Sequence, residues 1–167
     1  MKRVLRIITM LFAQTVAAGP SLCAVNEKTY FSCSAGPERK LASLCGSKSL
    51  QQPNSYLQYR FGTKKNLELI FPDDKKDSLV KFSYYHYFRF QTDRTNISFT
   101  NKDTSYAIFS DYDGENGTPT LQRGVSVSRN KDVRFLCKGK VTNNLSSLEG
   151  AIPCDKSDPL NSCTVGL

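Results

Sequence analysis

The segment KFSYYHYFRF, residues 81–90, holds the only histidine of the chain, His86, inside its densest run of aromatic residues. Histidine is the side chain whose ordinary pKa best suits acid–base chemistry near neutral pH. Strand alternation, however, places His86 on one face with Phe82 and the other even-numbered aromatic residues, up to Phe90. We therefore predict that His86 is a neutral histidine in the core or at its edge, and that this strand carries any function on its opposite face.

The opposite face of this segment carries two tyrosines between basic residues. Tyr85 and Tyr87 stand between Lys81 and Arg89, a composition that protein interfaces favour. The same pattern can stack the bases of single-stranded nucleic acid, or it can stabilise a sheet through cross-strand aromatic pairs. Tyr85, Tyr87 and Arg89 are our first group of candidate partner-binding residues.

A second group of candidates lies in the acidic segment DYDGENG, residues 111–117. Its alternating acids resemble a calcium loop, but such a loop needs glycine at its sixth position and glutamate at its twelfth, where this chain has Asn116 and Gln122. Two turn dipeptides instead predict a long flexible loop over residues 111–120. If this loop projects, its carboxylates can enter the basic cleft of a partner. The candidates are Asp111, Asp113 and Glu115.

Most catalytic patterns are missing from the sequence. A serine or cysteine nucleophile needs a base, and the lone histidine is not accompanied by a Gly-x-Ser-x-Gly elbow. There is no CxxC pair or Cys/His cluster for zinc, and no glycine-rich loop for a phosphate-bearing cofactor. We therefore predict no catalytic residues, no metal and no cofactor. A hydrolase that uses two carboxylates remains the alternative.

The first residues, MKRVLRIITMLFAQTVAAGPS, have a basic start followed by an apolar stretch that ends in small residues. This pattern predicts a secretory signal peptide over residues 1–18 and a single β domain over residues 19–167. The apolar stretch is too short to span a bilayer core of about 30 Å, so we expect no membrane span. The segment carries three of the 23 basic residues and none of the 15 acidic ones, which reduces the net charge from +8 to +5.

Short segments rich in β-branched and aromatic residues alternate with polar turns along the rest of the chain. This spacing predicts an all-β antiparallel meander, closed as a small barrel or packed as a sandwich. A short C-terminal helix is expected from Asn144 to Ala151. The predicted strands are 28–33, 40–45, 55–61, 66–71, 80–90, 95–100, 104–110, 121–128 and 133–138.

Six cysteines follow the predicted signal peptide, and an exported chain meets an oxidising compartment where thiols pair. If residues 35–38 close a hairpin, Cys33 lies opposite Lys40 and Cys45 lies opposite Lys28, at the other end of the ladder. Cys33 and Cys45 should therefore not bond each other. Other pairings stay possible, but the favoured set is Cys23–Cys45, Cys33–Cys137 and Cys154–Cys163.

Four segments resemble a family of small exported Gram-negative bacterial proteins that are mostly uncharacterised. They are EKTYFSC (27–33), KLASLCGS (40–47), YLQYRFG (56–62) and LELIFP (67–72). This resemblance implies a periplasmic or secreted β protein. The disulfides, basicity and predicted leader are also loosely similar to the periplasmic inhibitors of lysozyme. Their Ser-Gly-x-x-Tyr signature is missing here, because DTSYAIF (103–109) has no glycine, so no inhibitory residue is carried over.

These features together predict a non-enzymatic periplasmic or secreted binding protein. It would block a protein partner, either a cell-wall hydrolase or a secreted antibacterial toxin, as an inhibitor or an immunity protein does. The modest positive charge also suits nucleic acid or an anionic surface, but we expect a protein partner. The sequence makes no prediction about the oligomeric state.

Overall fold

The computed structural model describes residues 19–36 and 40–163, and the predicted signal peptide, residues 1–18, lies outside them. The described chain forms two five-stranded antiparallel sheets, and aromatic rings from the two sheets meet between them. The predicted all-β antiparallel fold is confirmed, and it has the sandwich form. Within the described ranges, no helix combines the length and apolar character that crossing a bilayer requires.

The first four strands belong to the first sheet, the next five form the second sheet, and the last strand returns to the first sheet. The first sheet has the order β10-β1-β2-β3-β4, and the second has the order β5-β6-β7-β8-β9. The strands are β1 (Lys28–Ser34), β2 (Leu41–Gly46), β3 (Leu57–Gly62), β4 (Leu67–Phe71), β5 (Ser83–Arg89), β6 (Thr92–Asn101), β7 (Thr104–Asp113), β8 (Thr120–Ser128), β9 (Asp132–Leu136) and β10 (Lys138–Asn143).

The last strand and the C-terminal helix differ from the sequence predictions. Strand β10 was not predicted, because its sequence KGKVTN is polar and lacks a regular apolar alternation. The expected helix is a single 3₁₀ turn, Leu145–Leu148, whose two leucines are buried. Asn144 does not cap it with its side chain; its amide instead donates a hydrogen bond of 2.9 Å to the carbonyl oxygen of Thr29 in β1.

The hairpin between β1 and β2 has a different register from the predicted one. Cys33 lies opposite Ala42 and Cys45 lies opposite Thr29, and a bulge follows Thr29. The two cysteines nevertheless stay at opposite ends of the hairpin, as the disulfide argument required. The disulfides join Cys23 to Cys45, Cys33 to Cys137 and Cys154 to Cys163, which are the favoured pairs.

Five aromatic rings form the centre of the space between the sheets, and Phe99 of β6 touches the other four. Its ring centroid lies 5.1 Å from Tyr59 and 4.5 Å from Phe71, both in the first sheet. It lies 5.5 Å from Phe82 and 4.9 Å from Tyr106 on its own side of the sandwich. Offset and edge contacts of this kind add to the stability that burial of apolar area provides.

The outer side of the first sheet is covered by the segment 19–27, beneath which an ion pair is buried. Both carboxylate oxygens of Glu27 accept bonds of 2.7 Å from the Arg60 guanidinium, and the Glu27 side chain is 2% exposed. Tyr56 and the Ala24 amide also donate to this carboxylate. Burial alone would raise the pKa of Glu27, but these hydrogen bonds and the charge of Arg60 lower that pKa to about 2.

Candidate functional site

The outer face of the second sheet collects most of the polar residues that the sequence singled out. Tyr85, Tyr87 and Arg89 point to this side from β5, as alternation predicts. The register places Tyr87 beside Arg94 of β6, and Arg94 beside Asp111 of β7. The structure therefore brings the predicted aromatic group and the predicted acidic group onto one surface.

The acidic segment is shorter as a loop than the sequence predicts. Asp111 and Asp113 belong to strand β7, which continues to Asp113, so the loop begins only at Gly114. The strand extends this far because its last residues pair with both neighbouring strands, β6 and β8. The predicted projecting loop over residues 111–120 is therefore wrong for its first three residues.

Each of the three predicted carboxylates lies against an arginine. Asp111 accepts a bond of 2.9 Å from Arg134 of β9, and Glu115 accepts one of 2.6 Å from Arg89. Oδ2 of Asp113 lies 3.6 Å from Nη2 of Arg94. Exposed pairs of this kind contribute little to stability, at most about 1 kcal/mol each. Their effect is to fix the directions of long side chains on this face.

Arg134 is held in place by an aromatic ring as well as by Asp111. Its guanidinium lies 4.0 Å from the ring centroid of Phe109 in β7. That ring in turn lies over Gly124 of β8, where a Cβ atom would be 2.9 Å from Cζ of Phe109 and would overlap the carbonyl oxygen of Phe135. The missing side chain at Gly124 therefore makes room for the ring on which Arg134 stacks.

We expect Gly124→Ala to lower the free energy of unfolding by about 1 to 3 kcal/mol, because the added methyl group cannot be accommodated without moving the ring or the neighbouring strand. Urea denaturation monitored by tyrosine fluorescence measures this. Ser126→Ala, on the same strand and face, is the matched control and should change stability by less than about 0.5 kcal/mol. Equal stabilities of Gly124→Ala and the parent protein would contradict this packing.

Residues 153–163, which we call the C-terminal wall, run along the edge of β5 that does not pair with β6. The amide of Asp155 donates to the carbonyl oxygen of Tyr84, and the amide of Ser162 donates to that of His86. The Cys154–Cys163 disulfide closes this segment into a loop. Burial raises the pKa of the Tyr85 hydroxyl, and the nearby carboxylate of Asp158 adds to this effect.

A groove of about 470 Å³ lies between this wall and the Phe109–Arg134 stack. Its volume is within the range of about 300 to 1,000 Å³ that is typical of small-ligand sites. Small side chains form its floor, whereas charged and aromatic side chains form its sides. The floor residues are Asn96, Ser98, Ala107 and Ser126, and the sides include Tyr85, Arg94, Phe109, Asp111, Arg134, Asp155, Ser157 and Asp158.

A second surface lies at one end of the same sheet, where the β5–β6 and β7–β8 turns meet. We call this surface, formed by Phe88, Phe90, Tyr112 and Leu121, the distal end. A bond of 2.8 Å from the amide of Gly114 to the carbonyl oxygen of Gln91 joins the two turns. Phe88 is 66% exposed and Phe90 is 84% exposed. Several large apolar side chains exposed at one end of a sheet are typical of interaction surfaces.

The distal end corrects the sequence interpretation of the even-numbered face. Phe82 and Tyr84 are buried in the core as predicted, and His86 lies at its edge with Nε2 3.0 Å from Oδ1 of Asp93. Beyond His86 the core ends, so Phe88 continues on the same face but in solvent, and Phe90 lies in the turn. Alternation assigns a side chain to a face but does not show how far the opposing sheet reaches.

The described residues contain one cluster with metal-ligating atoms, namely Cys23, Glu27 and Cys45 within 4.8 Å of one another. These residues do not fit a metal, because the cysteines bond each other and Arg60 occupies the Glu27 carboxylate. The cluster is therefore structural.

No protein-family model, curated protein or solved structure matches this chain. The assignment of the site consequently depends on its geometry. Sequence reasoning missed Arg94, Arg134 and Asp158, which no local motif marks, because they join the site only through strand pairing and the C-terminal disulfide.

Proposed function

We propose that this chain is an exported, non-enzymatic binding protein that occupies a protein partner through the distal end of its second sheet. The observation that carries this proposal is the pair of exposed rings of Phe88 and Phe90, beside Tyr87 and Arg89 on the same hairpin. Aromatic residues and arginine dominate the binding energy of protein interfaces when a partner covers them. The partner would be a cell-wall hydrolase or an envelope-directed toxin.

The rigidity of the surrounding structure supports this assignment. The hairpin that carries Phe88 and Phe90 pairs along all seven residues of β5, and the Arg89–Glu115 bond ties it to the neighbouring turn. A binding surface that is already ordered loses less conformational entropy when its partner docks. The three disulfides favour an oxidising compartment, in keeping with the predicted export.

Capture of the partner tests the proposal. The mature oxidised protein, immobilised, is exposed to an envelope extract of the producing organism, and the retained protein is then purified for affinity measurements. We expect Phe88→Ser and Phe90→Ser each to weaken binding about 10- to 100-fold, because both rings are anchors of the interface. Since both side chains are exposed, the variants should keep the thermal stability of the parent.

Val80→Ser is the matched control, because Val80 is 67% exposed but lies in the short 3₁₀ turn Leu79–Lys81, outside the distal end. It should bind as the parent does. Tyr87→Ala, Asp111→Ala and Asp113→Ala test the sequence-derived contacts in the same assay. Equal retention of the partner by the parent and by both phenylalanine variants would contradict the proposed surface.

A carboxylate-dependent hydrolase is the second candidate, because Asp111, Asp155 and Asp158 line the same groove. Such an enzyme needs two carboxyl groups on either side of a scissile bond. Hydrolysis of cell-wall or nucleic-acid substrates by the pure protein, lost on Asp158→Asn, would support it and would overturn the non-enzymatic proposal.

A further inference from the structure

The charges that line the groove are divided between its two sides. Arg94 and Arg134 project from the sheet together with Asp111, which is already bonded to Arg134, whereas the C-terminal wall contributes only carboxylates, those of Asp155 and Asp158, to the charged lining. We propose that this groove binds a small zwitterionic ligand, a short peptide with two free ends, whose carboxylate meets the arginines and whose ammonium group meets the wall aspartates. This site is separate from the distal end and does not depend on the proposed protein partner.

The two guanidinium groups have donors available for a carboxylate. Arg134 is about half exposed and uses one nitrogen on Asp111, while the Phe109 ring fixes its plane. Arg94 is also about half exposed, and its contact with Asp113, at 3.6 Å, is longer than a hydrogen bond. A guanidinium carries five N–H donors in a planar fork, which matches the two oxygens of a carboxylate.

The wall aspartates are oriented by their own loop. Oδ1 of Asp155 accepts from the amide and the hydroxyl of Ser157, and Oδ1 of Asp158 accepts from the amide of Leu160. A carboxylate accepts with both oxygens, so a second acceptor on each group can receive an ammonium ion. Backbone bonds from Asp155 to Tyr84 and from Ser162 to His86 hold this wall against β5, and the disulfide joins its two ends.

Tyr85 lies between the two charged sides. Burial raises the pKa of its hydroxyl, the Asp158 carboxylate raises that pKa further, and the Arg94 guanidinium lowers it. Both charged groups line the same groove of about 470 Å³ as this tyrosine, a volume that suits a short ligand. The floor residues Asn96, Ser98 and Ser126 offer an amide and two hydroxyls to a peptide group at that position.

The divided charge disfavours two other ligands. A simple anion attracted by the arginines would be repelled by Asp155 and Asp158 across the groove. A neutral sugar would leave the opposite charges without compensating partners when it displaced their water. A ligand that carries both charges satisfies both sides.

The probe is L-alanyl-L-alanine, with its N-acetylated and C-amidated forms, titrated into the mature oxidised protein and followed by amide chemical shifts. We expect the free dipeptide to shift the amides of Asn96, Ser98, Ala107 and Ser126. Each blocked form should bind about tenfold more weakly or worse, because it loses one charge-assisted hydrogen bond.

Two variants separate the ends of the ligand. The Arg94→Gln variant should bind the free and the C-amidated dipeptide with similar affinity, because the partner of the carboxylate is already lost. The Asp158→Asn variant should likewise bind the free and the N-acetylated dipeptide with similar affinity, because the partner of the ammonium group is lost. Arg129→Gln, an exposed arginine that pairs with Asp103 away from the groove, is the control and should bind as the parent does. Unchanged melting temperatures show that the variants fold.

Three results would overturn the inference. They are equal binding of the free and blocked dipeptides, no shift at the floor amides at millimolar dipeptide, and tighter binding of a neutral oligosaccharide such as chitotriose in the same groove. Since neither phenylalanine of the distal end lines the groove, these results leave the proposed partner surface unaffected, and loss of partner binding would leave the groove unaffected.

Discussion

Phe99→Ala should lower the free energy of unfolding by about 3 to 5 kcal/mol, the usual cost of removing a large aromatic side chain from a core. Phe99 is 4% exposed and touches four other rings, two from the opposite sheet. Its removal leaves a cavity where the sheets meet, and the surrounding rings cannot all move to fill it. Urea denaturation with the disulfides intact gives the change directly.

Phe90→Ala is the matched control for Phe99→Ala, because it removes the same atoms from a side chain that is 84% exposed. We expect it to change the free energy of unfolding by less than about 0.5 kcal/mol. Similar losses for the two variants would show that the rings between the sheets are not the main source of cohesion.

Arg60→Met should cost about 3 kcal/mol near pH 7, because it removes both guanidinium bonds from the buried Glu27 carboxylate and leaves only the more distant Nζ of Lys75, at 3.8 Å. The matched control is Arg129→Met. Arg129 also pairs with a carboxylate, that of Asp103, but both side chains are more than half exposed. That variant should lose at most about 1 kcal/mol. Chemical denaturation at a fixed pH measures both variants.

The pH dependence separates loss of the ion pair from loss of packing. In the parent, the pKa of Glu27 falls from 4.5 to about 2 on folding. Its contribution to stability, about 3 kcal/mol, is therefore complete above pH 4.5 and is lost as the pH falls through 2. In Arg60→Met, protonation of Glu27 removes a buried charge and stabilises the folded protein. The difference in free energy of unfolding between this variant and the parent should therefore shrink between pH 7 and pH 3. A difference that stays constant with pH would show that only packing is lost.

Local patterns predicted most of the fold because they depend on neighbouring residues. Alternation and turn dipeptides mark the strands from β1 to β9, and they place Tyr85 and Tyr87 on the outer face. The predicted hairpin excluded a Cys33–Cys45 bond even though its register was wrong, because the exclusion needed only that the two cysteines lie at opposite ends of one ladder. Strand β10 was missed because its polar sequence shows no alternation; it is ordered by pairing with β1, which is distant along the chain.

The candidate site was harder to predict, because strand order assembles it. Arg134 reaches Asp111 only because β9, β8 and β7 lie side by side, and Phe109 supports it only because Gly124 lacks a side chain. The exposure of Phe88 likewise depends on where the core ends, which no pattern within β5 records. A sequence therefore predicts which face a residue takes more readily than what covers that face.

Amide hydrogen exchange, measured on the free protein and on its complex with the captured partner, tests the central proposal most directly. We expect the partner to slow exchange at residues 88–92 and 112–121, which contain the two hairpin turns and the side chains of the distal end. Amides of the first sheet, such as those of residues 57–62 in β3, should exchange equally in both samples. Slowed exchange there, with none at the distal end, would contradict the proposed partner surface.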